Sequence, residues 1–298
     1  MMNCNILSII LIKRFQRFNF FIIFIWNNIF AIYINYIYYY NKKMNVSTRC
    51  NFKDFSVTWL SVTNKEENAP LTCFPKLTQE IKKELNLGNE VEWSMSAFLL
   101  ECENKKALFD AGFFREDTKG IPERLKELKI SPDEIDYIFI THKHWDHIDG
   151  LIGPNDSIVY KNAKIYISKE EYNGKIKKTP PGKEKLEEKF KKLYEKQIIQ
   201  FEFGKPLPLG IEPIKAFGHT PGHTCYKKDN LLFIGDLIHA EKLQFNHPEI
   251  CAFFDNDEEE SIKSRKNILK FAKENKLILA GHHLPCDKSG MFWEFNKN

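Results

Sequence analysis

The sequence predicts an α/β fold in which two mixed β-sheets are covered by helices. Short runs rich in apolar, β-branched and aromatic residues recur from residue 55 onward, segments of charged helical spacing separate some of them, and turn residues join others into hairpins. Hairpins among the strands argue against a purely alternating strand-helix-strand array and for two sheets with helices outside them.

The elements follow in order. Residues 94–101 and 107–110 read as strands joined by an Asn-Lys-Lys turn, a hairpin that leads into Asp110-Ala-Gly112. Residues 121–128 have helical spacing, with Pro122 at a first-turn position that tolerates proline. Further strands are expected at 137–141, 164–168, 198–203, 211–216, 231–235 and 277–280, and charged helices at 182–195 and 258–274. No repeat or low-complexity linker interrupts residues 55–298, which read as one continuous domain.

Composition bounds the function. The 298 residues are 43% hydrophobic, enough for a sizeable core. A net charge of +4 over 44 basic and 40 acidic residues is too weak to indicate nucleic acid as a partner. The seven cysteines (4, 50, 73, 102, 225, 251 and 286) are scattered and never form a Cys-x-x-Cys pair, so neither a disulfide framework nor a zinc knuckle is suggested, and a reducing compartment is the simpler expectation.

The first 43 residues differ in composition, dominated by Ile, Phe, Tyr and Asn, with no charge between Arg17 and Lys42. A stretch of roughly 20 apolar residues can span a bilayer, so residues 18–40 would anchor the chain if expressed as a helix, although Asn19, Asn27, Asn28 and Asn35 oppose this. A signal peptide fits less well, because no small-residue cleavage site follows. The alternative is that translation starts at Met44, giving an extension at 1–43, a folded domain at 44–298 and a cytoplasmic protein.

The chemistry is concentrated in the histidines. All nine lie at or beyond residue 142, and three fall in the string His142-Lys143-His144-Trp145-Asp146-His147, delivered by the apolar run Tyr137-Ile-Phe-Ile-Thr141. Imidazole and carboxylate are the side chains that hold a first-row divalent cation in water, and four in six residues point to a metal site. Four more segments end apolar runs with candidate ligands: Leu108-Phe-Asp110, Phe217-Gly-His219-Thr-Pro-Gly-His223, Leu232-Phe-Ile-Gly-Asp236, and Leu277-Ile-Leu-Ala-Gly-His282-His283. Strand ends are rigid, so ligands placed there keep a fixed geometry. Together these groups could hold two cations with a carboxylate between them.

In order, these motifs resemble those of the metallo-β-lactamase-fold hydrolases over about residues 55–295. Gly235-Asp-Leu-Ile-His-Ala240, Gln244-Phe-Asn-His-Pro-Glu249, Phe254-Asp255 and His283-Leu-Pro285 are most similar to the branch of methyl parathion hydrolase and quorum-quenching lactonases. The resemblance implies an αββα sandwich with its site at one edge. It also implies that His142, His144 and His219 hold one metal and that Asp146, His147 and His283 hold a second, with Asp236 bridging. His223, His239 and His282 would then play supporting roles, and Asp110 would orient a ligand histidine. Asp149 replaces the family's usual glycine, which would put another carboxylate near the metals, and Cys286 replaces the usual aromatic after Leu-Pro.

The implied activity is hydrolysis of an ester, lactone or phosphotriester by a metal-bridging hydroxide, with Asp146 as the catalytic proton carrier. Two divalent ions would be the cofactors, with zinc the default and manganese, iron or cobalt also suited to an all-nitrogen-and-oxygen set. The expected partner is a small-molecule ester or lactone, with no nucleic acid, and the lactonase branch commonly forms homodimers. Trp145, Phe113 and Phe114 are candidates for an apolar pocket wall, or equally for core packing. The alternatives are a glyoxalase II-like thioesterase and a non-catalytic metal-binding module.

Overall fold

The computed structural model describes residues 47–63, 67–114 and 120–284. The 1–43 extension, the Met44 start and Cys286 lie outside the described residues.

Strand β1 (Ser47–Asn51) pairs with β2 (Phe55–Ser61), and β3 (Glu67–Pro70) forms a ribbon with β4 (Glu90–Trp93), helix α1 (Gln79–Glu84) lying between them in sequence. Next come β5 (Ser96–Cys102), β6 (Lys105–Phe109), α2 (Gly120–Glu127), β7 (Tyr137–Phe139) and the short helix α3 (Trp145–Ile148). A small ribbon of β8 (Ile152–Gly153) and β9 (Ser157–Ile158) precedes β10 (Lys164–Ser168), α4 (Lys169–Asn173), α5 (Leu186–Leu193) and β11 (Ile198–Phe201). The last part holds β12 (Glu212–Lys215), β13 (Thr224–Lys228), β14 (Leu231–Gly235), α6 (Glu241–Gln244), α7 (Glu258–Glu274) and β15 (Ile278–Gly281).

Seven strands form one sheet in the order β1-β2-β5-β6-β7-β10-β11, and β12-β13-β14-β15 form a second. Both are mixed: β6, β7, β10 and β11 run parallel, as do β14 and β15, whereas the hairpin-joined strands are antiparallel. The alternation of side chains along each strand explains why the runs are apolar throughout. On β5 and β6, Phe98, Leu100 and Phe109 face Tyr226, Leu231 and Phe233 of the small sheet. Their neighbours Leu99 and Leu108 point the other way, against Ile121 and Leu125 of α2 and Phe190 of α5. On the small sheet, Leu232 and Ile234 meet Ile268, Leu269 and Ala272 of α7. Helix, sheet, sheet and helix therefore stack in four layers, as predicted.

Several boundaries differ from the sequence reading. The expected helix at 182–195 is confined to Leu186–Leu193, because Pro180 and Pro181 precede it and Gly182 takes a left-handed φ of 84°. The strand expected at 137–141 ends at Phe139, two residues early, where the backbone turns into the histidine loop.

Candidate metal centre

The site lies where parallel strands finish. The loop after β7 supplies His142 and His144, α3 supplies Asp146 and His147, the loop between β12 and β13 supplies His219, and the ends of β14 and β15 supply Asp236, His282 and His283. All eight side chains are buried. They fall into two sets, His142, His144, His219 and Asp236 on one side and Asp146, His147, His282 and His283 on the other, and a third group of Asp236, His239 and His283 overlaps both.

In the first set, His219 Nε2 lies 3.2 Å from His142 Nε2 and 2.9 Å from His144 Nδ1, which is 3.1 Å from His142 Nε2. Three imidazole nitrogens this close, facing one point in a buried space, repel one another unless a proton or cation lies among them. Asp236 faces both sets. Its Oδ2 is 3.6 Å from His142 Nε2 and 3.5 Å from His219 Nε2, and its Oδ1 is 3.1 Å from His147 Nε2. Buried His147 Nε2, Asp236 Oδ1 and both ring nitrogens of His282 have no hydrogen-bond partner. Such unsatisfied groups are costly unless a ligand meets them, so the residues fit a pair of divalent cations.

The surroundings fix each ring. Asp110, held at a left-handed φ of 62°, accepts from Thr141 N and Thr141 Oγ1, and its Oδ2 lies 2.8 Å from His147 Nδ1. Thr141 Oγ1 is 2.9 Å from His142 Nδ1. Asp255 Oδ1 lies 2.7 Å from His219 Nδ1, while its other oxygen accepts from buried Arg265. His283 Nδ1 meets the Ser94 carbonyl at 2.9 Å, and the Ser94 hydroxyl donates to the carbonyls of His282 and Leu284. These contacts aim the opposite nitrogens of His147, His142, His219 and His283 at the centre.

Charge follows geometry. Burial lowers the pKa of His219, but Asp236 and Asp255 outweigh it and raise the ring to about 9. Burial acts to raise Asp236, yet His147, His283 and His142 hold it well below the carboxylate range. Burial, reinforced by Asp236 and opposed by His147, pushes Asp146 up. His223 is driven down to about 3 by burial, and its Nε2 accepts from Asp236 N at 3.1 Å, so it braces the carboxylate's backbone rather than facing the centre. Gly235 makes that bond feasible: a Cβ there would lie 2.8 Å from His223 Nε2.

The last strand brings two histidines to the site where the sequence selected one. His283 Nε2 is 3.6 Å from Asp146 Oδ2 and 3.1 Å from Asp236 Oδ2, and His282 Nε2 is 3.7 Å from Asp146 Oδ2. His239 also faces inward, 3.4 Å from Asp236 Oδ2, with neither ring nitrogen partnered. His247 is remote and pairs with Glu84 and Glu249.

Phe113 is fully buried and packs edge-on against Trp145, which faces Lys183, so of the two readings offered for these residues core packing is the one that holds for this pair. Asp149 pairs with Lys183 at 2.7 Å and accepts from Phe114 N, so both of its carboxylate oxygens are already engaged. The aromatic groups beside the ligands are instead Trp93, 4.3 Å from the His283 ring, and Phe254, 4.7 Å from His239. The sequence reading passed over Trp93, which comes from a short polar ribbon, and singled out Phe254 only as part of the Phe254-Asp255 motif, without a place beside the histidines.

Fold and candidate site together have the arrangement of the metallo-beta-lactamase fold. The profile of the metallo-beta-lactamase superfamily matches residues 92–282, well over half of the chain, and the chain belongs to that superfamily. The exodeoxyribonuclease WalJ of Streptococcus pneumoniae serotype 2 is 33% identical over 151 residues, 47% of this chain and 49% of its own. The chain thus spans about half the length of that curated relative. An N-acyl homoserine lactonase of Bacillus thuringiensis is 23% identical over 256 residues, 81% of this chain and 92% of its own. Among solved structures, AidC, a dizinc quorum-quenching lactonase, superposes with a TM-score of 0.72 at 24% identity, covering 85% of this chain and 99% of that one. Among the described residues, no helix is long and apolar enough to cross a membrane.

Proposed function

We propose that the chain hydrolyses an ester, lactone or phosphotriester of a small molecule with two divalent cations, zinc by default. His142, His144 and His219 would hold one. Asp146, His147 and a ring of the His282–His283 pair would hold the other, with Asp236 shared. The observation that carries this reading is the convergence of buried imidazole nitrogens and carboxylate oxygens on the two sides of Asp236, several of them without a hydrogen-bond partner.

Two divalent cations held by these residues would supply Lewis acidity, activating a water near neutral pH and polarising the scissile carbonyl or phosphoryl group. The chain's own residues do the rest. Asp146, a member of the second set under the electrostatic influence of Asp236, would carry the proton from the attacking water to the leaving oxygen. His239, kept neutral because burial lowers it to about 4, offers a ring N–H to a substrate oxygen. Trp93 and Phe254 give an apolar flank suited to an acyl or aryl group. The length match to the lactonase favours a lactone among these substrates. The nuclease similarity supports a second reading, phosphodiester cleavage.

Elemental analysis of the full chain, with assays on an acyl-homoserine lactone, an aryl ester, methyl parathion, a thioester and single-stranded DNA, tests both readings. About two metals per chain, with lactone or ester turnover lost in Asp236→Ala, is the expected result. Turnover of DNA alone would install the second reading, and turnover indifferent to Asp236 would overturn the proposed site.

A further inference from the structure

We propose that Glu171 is a positioning residue that holds the His142–His144 loop and the His219 loop at the separation one cation requires. This rests on the reading of those three histidines as ligands and assigns the residue that sets their geometry. The two loops come from different sheets, one following β7 and the other joining β12 to β13, so neither sheet's own hydrogen bonds fix the distance between them.

Glu171 lies in α4, wholly buried. Its Oε1 accepts from the backbone N–H of Lys143, the residue between His142 and His144, at 2.9 Å. Its Oε2 accepts from the Thr220 hydroxyl at 2.6 Å and from Gly222 N at 2.8 Å, within three residues of His219. One carboxylate therefore ties a group adjacent to each ligand pair. The approach is close: a Cβ on Gly222 would lie 2.0 Å from Glu171 N, so the loop rests directly on the helix backbone. Ser168 completes the bracket, accepting from Glu171 N and donating to Gly222 O. Glu171 itself contacts none of the ligand nitrogens.

All three partners are donors, which makes the isosteric amide informative. In Glu171→Gln, the single oxygen can serve Lys143 or the Thr220–Gly222 pair, and the amide N–H₂ must confront a donor on the other side. Thr220→Val removes one tie at constant shape, and Thr220→Ser keeps the hydroxyl.

Cobalt titration of the metal-stripped full chain, followed by visible absorption, reads ligand geometry without reference to turnover. Glu171→Gln and Thr220→Val should bind cobalt at least about tenfold more weakly with altered visible bands, and Thr220→Ser should restore both. Variants that only melt earlier, with wild-type affinity and spectrum, would reduce Glu171 to a structural role and overturn the proposal. If Glu171→Gln does not fold, the Thr220 pair decides alone. A wild-type chain that takes up no cobalt would remove the ligand reading itself, a failure distinct from loss of the clamp.

Discussion

At the residue scale, the informative side chains are those whose partners are distant in sequence. Asp255 orients His219 from 36 positions away and is held by Arg265, with its pKa lowered below the usual carboxylate range because His219 and Arg265 outweigh its burial. Asp255→Asn keeps the shape but removes the charge that fixes the His219 proton on Nδ1. Metal affinity, measured by competition with a chelator, should fall by about 10- to 100-fold. The protonation of His219 gives a second test. Its folded pKa of about 9 exceeds the ordinary 6.5, so the ion pairs with Asp236 and Asp255 stabilise the metal-free chain fully below pH 6.5, and that contribution is lost as pH rises through about 9. Cation and proton compete for this ring, so apparent metal affinity should climb over the same interval. Calorimetric melting of chelator-treated protein and zinc titrations across that range should move in opposite directions; parallel trends would refute the assignment. The ligand ring at the last strand's end is also decidable. Of His282→Ala and His283→Ala, one should retain about one metal per chain and the other about two, read by elemental analysis.

At the element scale, legibility tracked apolar continuity. The strands Lys164–Ser168 and Leu231–Gly235 and the helix Glu258–Glu274 have the bounds the sequence suggests, because unbroken apolar runs and a long amphipathic pattern leave little latitude. Strand Thr224–Lys228 was missed, since Thr-Cys-Tyr-Lys-Lys reads as mixed, yet it carries Tyr226 into the space between the sheets. The Tyr226 hydroxyl donates to Ile140 O at 2.7 Å, tying the small sheet to the residue two before His142. Tyr226→Phe leaves that buried carbonyl unsatisfied and should cost about 1–3 kcal/mol in urea unfolding, with m unchanged. A neutral outcome would mean water or another donor replaces the hydroxyl.

At the scale of the whole molecule, the candidate ligand motifs stood out because each follows an apolar run, and Asp110 stood out with them, whereas most of the bracing shell did not, because it exists only once the two sheets meet. Glu171, within Lys-Glu-Glu-Tyr, reads as an exposed helix face, and it is buried where the His142–His144 loop and the His219 loop both close on it. The same arrangement makes cation binding a cross-link between layers: His142, His144 and His147 follow a strand of the large sheet, while His219, Asp236 and His283 come from the small one. A ligand that binds only where both sheets are docked must stabilise the folded state, by about 2.7 kcal/mol at free metal near 100 times Kd. The melting temperature of the chelator-stripped chain should therefore rise with the logarithm of added zinc, and Asp236→Ala, which loses the group shared by both sets, should flatten that slope. A melting temperature indifferent to zinc would show that the two halves of the site do not meet on a cation, whatever the activity of the chain.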